Sequence, residues 1–312
     1  MPFMDDQQTY LLNGLLTRQF SLGRIVRFRK VARGRQATTY ELLTAEQNEY
    51  LVYLYSPTYE ATTLETMAVT VGVLDENRFS VMPMVRGREG AYVAEGPQGT
   101  HLMASLALLG SEMAPDQFTE HDVTQIGLRL AWMHRLLLEQ LAAPVRAVPL
   151  DERLDAALAS KDDLPREALP ELSEGEVKRL RELLRLPTEQ AWVHGDMQLA
   201  ALLVDGDHQI RTVTDWALLH WGSPGEDLLD IFLALCVLPG GRVDEVRGQA
   251  LLESYDSLRP IRRMAWTPVI ASWLAQRFLD AATGRRAMPA GFTRILASTE
   301  DMASVMAACT PR

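Results

Sequence analysis

Trp192-Val193-His194-Gly195-Asp196 decides how this chain is read, together with Val213-Thr214-Asp215-Trp216, whose aspartate lies nineteen residues beyond Asp196. The pattern is a strand, a tight polar loop, a second strand, and an aspartate leaving that strand. Transfer of a phosphoryl group needs two carboxylates placed this way. One accepts a proton from the attacking hydroxyl, and the other holds a divalent cation against the phosphates. Loops that do this chemistry carry an asparagine five residues after the first aspartate, as ligand to a second cation. Here that position is Ala201, which has no donor atom.

Working outward, the residues before this stretch divide in two. Asp5 and Asp6 cap a first helix to about Phe20, with Leu11, Leu12, Leu15 and Leu16 expected inward. Strands follow at Ile25–Phe28, Thr38–Leu42 and Glu49–Tyr55, then a helix over Thr58–Val71 and a returning strand over Arg78–Val85. Arg86-Gly87-Arg88 reads as a connector. The expectation is a first lobe of residues 1–85, mostly antiparallel sheet, and a mainly helical lobe of residues 86–312. The second lobe should begin with a helix capped by Thr119 and Asp122, with Val123, Ile126, Leu130, Met133 and Leu137 at helical spacing. Residues 142–172 are Pro-rich and broken. Ser173 and Glu176 begin a further helix, and Asp205-Gly206-Asp207 signals a hairpin. Helices then follow from Pro224 and over about 243–257, 261–282 and 290–308.

Composition sets the outer limits. The 312 residues are 47% hydrophobic and 23% charged, with a net charge of −10 and a pI near 5.2. That balance argues against general nucleic-acid binding. Residues 18–35 are the local exception, with Arg18, Arg24, Arg27, Arg29, Lys30, Arg33 and Arg35 and no acid among them. They form either a solvated strand face or a phosphate-facing one. Cys236 and Cys309 are too few for a disulfide framework or a zinc site. The polar, acidic start of the chain and the lack of a long apolar run predict a cytoplasmic protein with no membrane partner.

Four segments, in order, carry a resemblance to a known family. They are Ile126-Gly127-Leu128-Arg129-Leu130-Ala131-Trp132-Met133-His134, His194-Gly195-Asp196, Thr214-Asp215-Trp216, and Gly222-Ser223-Pro224-Gly225-Glu226-Asp227-Leu228. At this spacing the chain resembles the aminoglycoside phosphotransferase and choline kinase superfamily, with its nearest general likeness to the type II homoserine kinase branch. The resemblance implies an α+β, bilobal, protein-kinase-like fold, a small antiparallel-sheet lobe beside a larger helical one. It implies ATP and Mg²⁺ as cofactors and a small-molecule acceptor. Asp196 would be the catalytic base, Asp215 the metal ligand, and Asp227 a structural group holding the loop. His194 would fix the loop by hydrogen bonding, and His134 would pack. Met82 and Met84, in Val81-Met82-Pro83-Met84-Val85, would lie against the nucleotide base, with Gly34 and Arg35 of the first hairpin near its phosphates.

The sequence departs from the family's pattern at Ala201, at Gln198 where the family often has histidine, and on the third strand. No Lys or Arg occurs from Ala45 to Val73, so the usual phosphate-gripping cation is missing there, and Glu60 or Glu65 would lack its partner. Arg33 or Arg35 would then have to substitute. Two functional expectations follow. One is an ATP-dependent phosphotransferase acting on a small hydroxylated acceptor with an altered metal site. The other is an inactive pseudokinase serving as a nucleotide-binding or scaffold module.

Overall fold

The computed structural model describes residues 6–33, 37–108, 110–145, 147–159, 172–261, 264–286 and 292–311. They form two compact units. The first takes residues 1–110 together with 211–217, and the second takes 111–210 and 218–312.

The first unit is a five-stranded antiparallel sheet with two helices. Helix α1 (Asp6–Gln19) precedes β1 (Ile25–Arg33), β2 (Ala37–Thr44) and β3 (Glu49–Tyr55). Helix α2 (Ala61–Glu76) follows, then β4 (Ala94–Glu95) and β5 (His101–Leu106), in the spatial order β1-β2-β3-β5-β4. Alternation along the strands sends side chains to opposite faces. Val52, Leu102 and Ala104 join Leu12, Leu16, Phe20 and Tyr40 in one core, with Tyr50 and Leu54 packed against it. Leu11, expected inward, is exposed. The basic run of β1 is a solvated face, where Arg29 pairs with Glu41 and Arg27 with Glu49.

The expected boundary at residue 85 falls inside this unit. Arg78–Val85 is not a ladder strand. It makes only isolated bridges, Val81 to Val213 and Met84 to Ser105. The partner of β3 is instead β5, in register Tyr53 to Met103 and Tyr55 to His101. Gly96-Pro97-Gln98-Gly99 marks a turn just before that strand, so the connector lies later than the expected Arg86-Gly87-Arg88.

The second unit opens with α3 (Glu120–Gln140). The Thr119 hydroxyl accepts from the Asp122 N–H, and the Asp122 carboxylate accepts from the Thr119 N–H in return. Helix α4 (Leu150–Ala159) forms inside the Pro-rich segment over 142–172, where the sequence pattern predicts broken structure. Helix α5 (Glu174–Leu184) starts at the Ser173–Glu176 capping box. Strand β6 (Ala191–Val193) leads into the His194–Asp196 loop, and β7 (Leu202–Val204) follows it. Strand β8 (Ile210–Val213) carries the chain into the first unit, and β9 (His220–Gly222) pairs antiparallel with β6 after its return. The remaining helices are α6 (Pro224–Leu235), α7 (Glu245–Leu258), α8 (Trp266–Ala282), α9 (Phe292–Ala297) and α10 (Thr299–Cys309), so the single terminal helix expected over 290–308 is two.

Gly127 brings α3 close to α7. A Cβ there would lie 2.0 Å from the Ser254 Oγ and 2.5 Å from the Leu251 carbonyl oxygen. Helix α8 is almost wholly buried and packs against α4, α5, α6 and α10. Trp266 and Trp273, near-buried in it, are core residues. The indole N–H of Trp273 donates to Asp230 at 2.8 Å.

Candidate active site

In the second unit, the loop carrying Asp196 is fixed from below by Asp227. The Asp227 side chain is fully buried near the start of α6 and accepts from the backbone N–H groups of His194 at 2.8 Å and Gly195 at 2.9 Å. It is also 2.9 Å from His134 Nε2. His134 Nδ1 meets the Tyr255 hydroxyl at 2.8 Å, and Arg259 donates to that hydroxyl while pairing with Glu189. Burial alone would raise the Asp227 pKa. The hydrogen bonds from His134 and from the Gly195 N–H, with His194 beside it, outweigh burial and hold the carboxyl down at about 2. Burial pushes His134 the other way, below its ordinary value, against the pull of Asp227. The result is an ionised aspartate clamped by a neutral imidazole. His134, expected only to pack, is a positioning residue. Helical spacing at the end of α3 marked its burial but gave no sign of a partner ninety-three residues away.

The loop itself turns at Gly195, whose φ is +80° and where a Cβ would sit 2.2 Å from the Leu218 carbonyl oxygen. Only glycine fits that position. His194 Nδ1 accepts from the Asp196 N–H at 3.2 Å, which fixes the loop as expected of it. Gln198 and Ala201 close a short helical turn, and Ala201 is buried.

Asp196 is buried and ion-paired. Its Oδ1 lies 2.8 Å from Arg286, just past the end of α8, and the two side chains are 10% and 7% exposed. Below it, Arg277 donates to the Gly195 carbonyl oxygen at 2.5 Å and pairs with Asp230. The sequence reading missed both arginines. The signal for Arg277 was present, since Arg277 and Asp280 are the charged residues of an otherwise uncharged helix. Arg286 gave none.

In the first unit, Asp215 leaves β8 at φ +63°, a left-handed conformation uncommon for any residue but glycine and, for aspartate, often found where function demands it. It lines a cavity with Tyr53, Tyr55, Met67, Val71, Met82 and Met84. Both methionines expected at the nucleotide base therefore share one cavity with the expected metal ligand. Gly34 and Arg35 lie outside the described residues.

The strand face that would offer a cation offers two phenols. Tyr53 Oη lies 3.1 Å from Ser105 Oγ, and the Tyr53 and Tyr55 rings stack at 6.2 Å. Burial, against the Ser105 hydrogen bond and with the Asp215 charge, pushes the Tyr53 hydroxyl up to about 12. Glu65, left without a cation, has found backbone donors instead: its carboxylate accepts from the N–H groups of Tyr92 at 2.9 Å and Val93 at 2.9 Å.

For a divalent metal the fit is narrow. Among the described residues no group of three or more His, Cys, Asp or Glu is arranged to hold one. Mg²⁺ commonly takes one or two carboxylates and completes its shell with phosphate oxygens and water. A single carboxylate at Asp215 suits a cation that arrives on a nucleotide, while Ala201 has nothing to offer a second. Among the described residues no helix is long and apolar enough to cross a membrane.

This arrangement is that of a known class. Residues 27–261 match the family model described as the phosphotransferase enzyme family, and the chain belongs to that family. Its fold is shared with solved kinases of low identity. The amicoumacin kinase hAmiN, in complex with AMP-PNP, Ca²⁺ and Ami, superposes with a TM-score of 0.63 at 15% identity, over 98% of this chain and 96% of that one. A microcompartment-associated aminopropanol kinase gives 0.63 at 16%, over 96% and 95%. The macrolide 2'-phosphotransferase MphH from Brachybacterium faecium gives 0.56 at 17%, over 99% of each chain. The expected α+β kinase-like fold is the fold observed. No curated protein sequence matches the chain.

Proposed function

We propose that this protein is an ATP-dependent phosphotransferase acting on a hydroxyl of a small molecule, with Mg²⁺ brought by the nucleotide and a single protein carboxylate for it. Asp196 accepts the proton of the acceptor hydroxyl, and Asp215 would hold the metal. Met82, Met84 and Val71 supply the apolar wall for the base, and the hairpin residues Gly34 and Arg35 approach the phosphates. The cation, when bound, stabilises charge on the transferring phosphoryl group. The chain's own part is to orient the acceptor and to take its proton at the Asp196 carboxylate. A cytoplasmic setting, a small-molecule acceptor and no nucleic-acid partner complete the reading.

The observation that carries it is the buried clamp on the Asp196 loop. Asp227, His134 and Tyr255 form a fully buried polar network, costly unless every member is satisfied. The network ends on the amides of His194 and Gly195, so it holds the segment that presents Asp196. Ala201 and the tyrosines of β3 favour the second reading, a nucleotide-binding module without turnover.

Calorimetry separates the two aspartates. Asp215 meets the metal in the ground state, whereas Asp196 meets the acceptor, so Asp215→Ala should lose affinity for Mg²⁺-ATP by tenfold or more, on the order of one charged contact. Asp196→Ala should bind it as wild type does. Equal affinities for both variants would sink the assignment.

A further inference from the structure

Arg286 has Asp196 as its ion-pair partner. A carboxylate that must receive an acceptor hydroxyl is thus covered by a guanidinium that is itself 7% exposed and keeps its proton at any working pH. Arg277, the other arginine at the loop, is already taken by Asp230 and the Gly195 carbonyl. Asp280 lies 3.8 Å from Arg277 and accepts from Gln276, and burial pushes its carboxyl up toward the neutral form. Glu226 is matched by His220 at 3.2 Å. Burial would lower that imidazole, but Glu226 more than offsets it and leaves its pKa raised. Arg153 of α4 adds positive charge beside Asp280 and Arg285.

With Asp230 paired to Arg277 and the Asp280 carboxyl pushed up by burial, the contact partner left to Arg286 is the base itself. If an acceptor hydroxyl displaced Arg286 from Asp196, a buried guanidinium would lose its contact counter-ion and keep only Asp230, already shared with Arg277, and the Asp280 carboxyl, pushed toward neutral, an arrangement proteins disfavour. An acceptor bearing its own anion resolves this. Its carboxylate or phosphate takes the planar fork of Arg286, and its hydroxyl takes the vacated Asp196 oxygen. Cationic acceptors gain nothing from such a site.

Resting on the phosphotransfer reading of Asp196, we infer that the acceptor is a small hydroxylated anion, and that Arg286 is the residue selecting it. Carboxylate and phosphate share the chemistry, and the choice between them is open to experiment.

The test uses the full-length protein with Mg²⁺-ATP and matched acceptors: glycerate, glycerol phosphate, glycerol and serinol. Wild type should favour one or both anions over glycerol and serinol by at least about tenfold in kcat/KM, the scale of one charged hydrogen bond. Arg286→Gln should erase the preference, and Arg286→Lys should restore part of it, which a misfolded variant would not do. Equal or better use of glycerol or serinol by wild type would overturn the inference. Binding is read separately by calorimetry without nucleotide. Saturable binding of glycerate or glycerol phosphate, lost in Arg286→Gln and partly kept in Arg286→Lys, supports the anion site even if no phosphoryl group is transferred. Absence of such binding in wild type, with no anion preference in turnover, would refute it. Lack of transfer to any acceptor, with anion binding intact, would count against the phosphotransfer reading alone.

Discussion

At the scale of single residues, His134 and His220 sit in opposite electrostatic settings. His134 is neutral against an ionised Asp227, with its pKa lowered by burial. His220 faces Glu226 and has its pKa raised despite burial. A lowered histidine contributes stability that is full above the ordinary value of 6.5 and is lost as pH falls below it. Asp227 acts in the same sense further down, between its ordinary 3.8 and about 2. His220 acts oppositely: its contribution is full below 6.5 and is lost as pH rises through its raised pKa. Nuclear magnetic resonance at pH 6.5 should therefore find His134 mostly neutral and His220 mostly protonated. The stability gap between wild type and His220→Gln should narrow as pH rises. Matching titration curves for the two rings would contradict both assignments. At this scale the sequence was legible where a motif fixes a role. Asp227 and His194 act as the resemblance implied. Arg286 was not legible, because its role comes from where α8 ends in space and not from any local pattern.

At the scale of elements, periodicity and caps located most of the helices. Thr119 and Ser173 marked their starts because a capping side chain leaves a local signature. Partners across the sheet left no such trace. The pairing of β3 with β5 spans about fifty residues, so local pattern points instead to the segment over 78–85. The same pairing decides which β3 residues face Asp215. Tyr53 and Tyr55 do, while Leu54 packs with the α1 core, so a cation built at Leu54 would enter the apolar core. The close approach of α3 to α7 yields a direct prediction. Gly127→Ala forces a Cβ into the Ser254 side chain and the Leu251 backbone, and should cost about 1–3 kcal/mol by overpacking. Gly206→Ala, where a Cβ meets nothing within 4 Å, is the control and should cost well under that. Urea unfolding of both variants checks it, and equal midpoints would mean the helices are not held at this distance.

At the scale of the whole molecule, the fold was legible because four short segments occur in family order across the chain. The partition was legible only roughly, since residues 211–217 belong to the first unit although they lie between the two halves of the second in sequence. The parallel bridge from Val81 to Val213 draws that segment there, and such a return cannot be read from a linear pattern. The chemistry is the remaining question, and the missing ligand at Ala201 sets its expected scale. Losing one preorganised electrostatic stabiliser costs about 10²–10³ in rate, from kinase turnovers of about 1–100 s⁻¹. With Ala201 the loss that counts most, turnover should be about 0.001–1 s⁻¹, slow but measurable. The direct test follows the phosphorus resonances of Mg²⁺-ATP with an acceptor, comparing wild type with Asp196→Ala and Asp215→Ala. The account predicts that wild type forms ADP and a new phosphoester at a rate in that range, and that neither variant does. A wild-type spectrum indistinguishable from that of Asp196→Ala, across anionic, neutral and cationic acceptors, would contradict it.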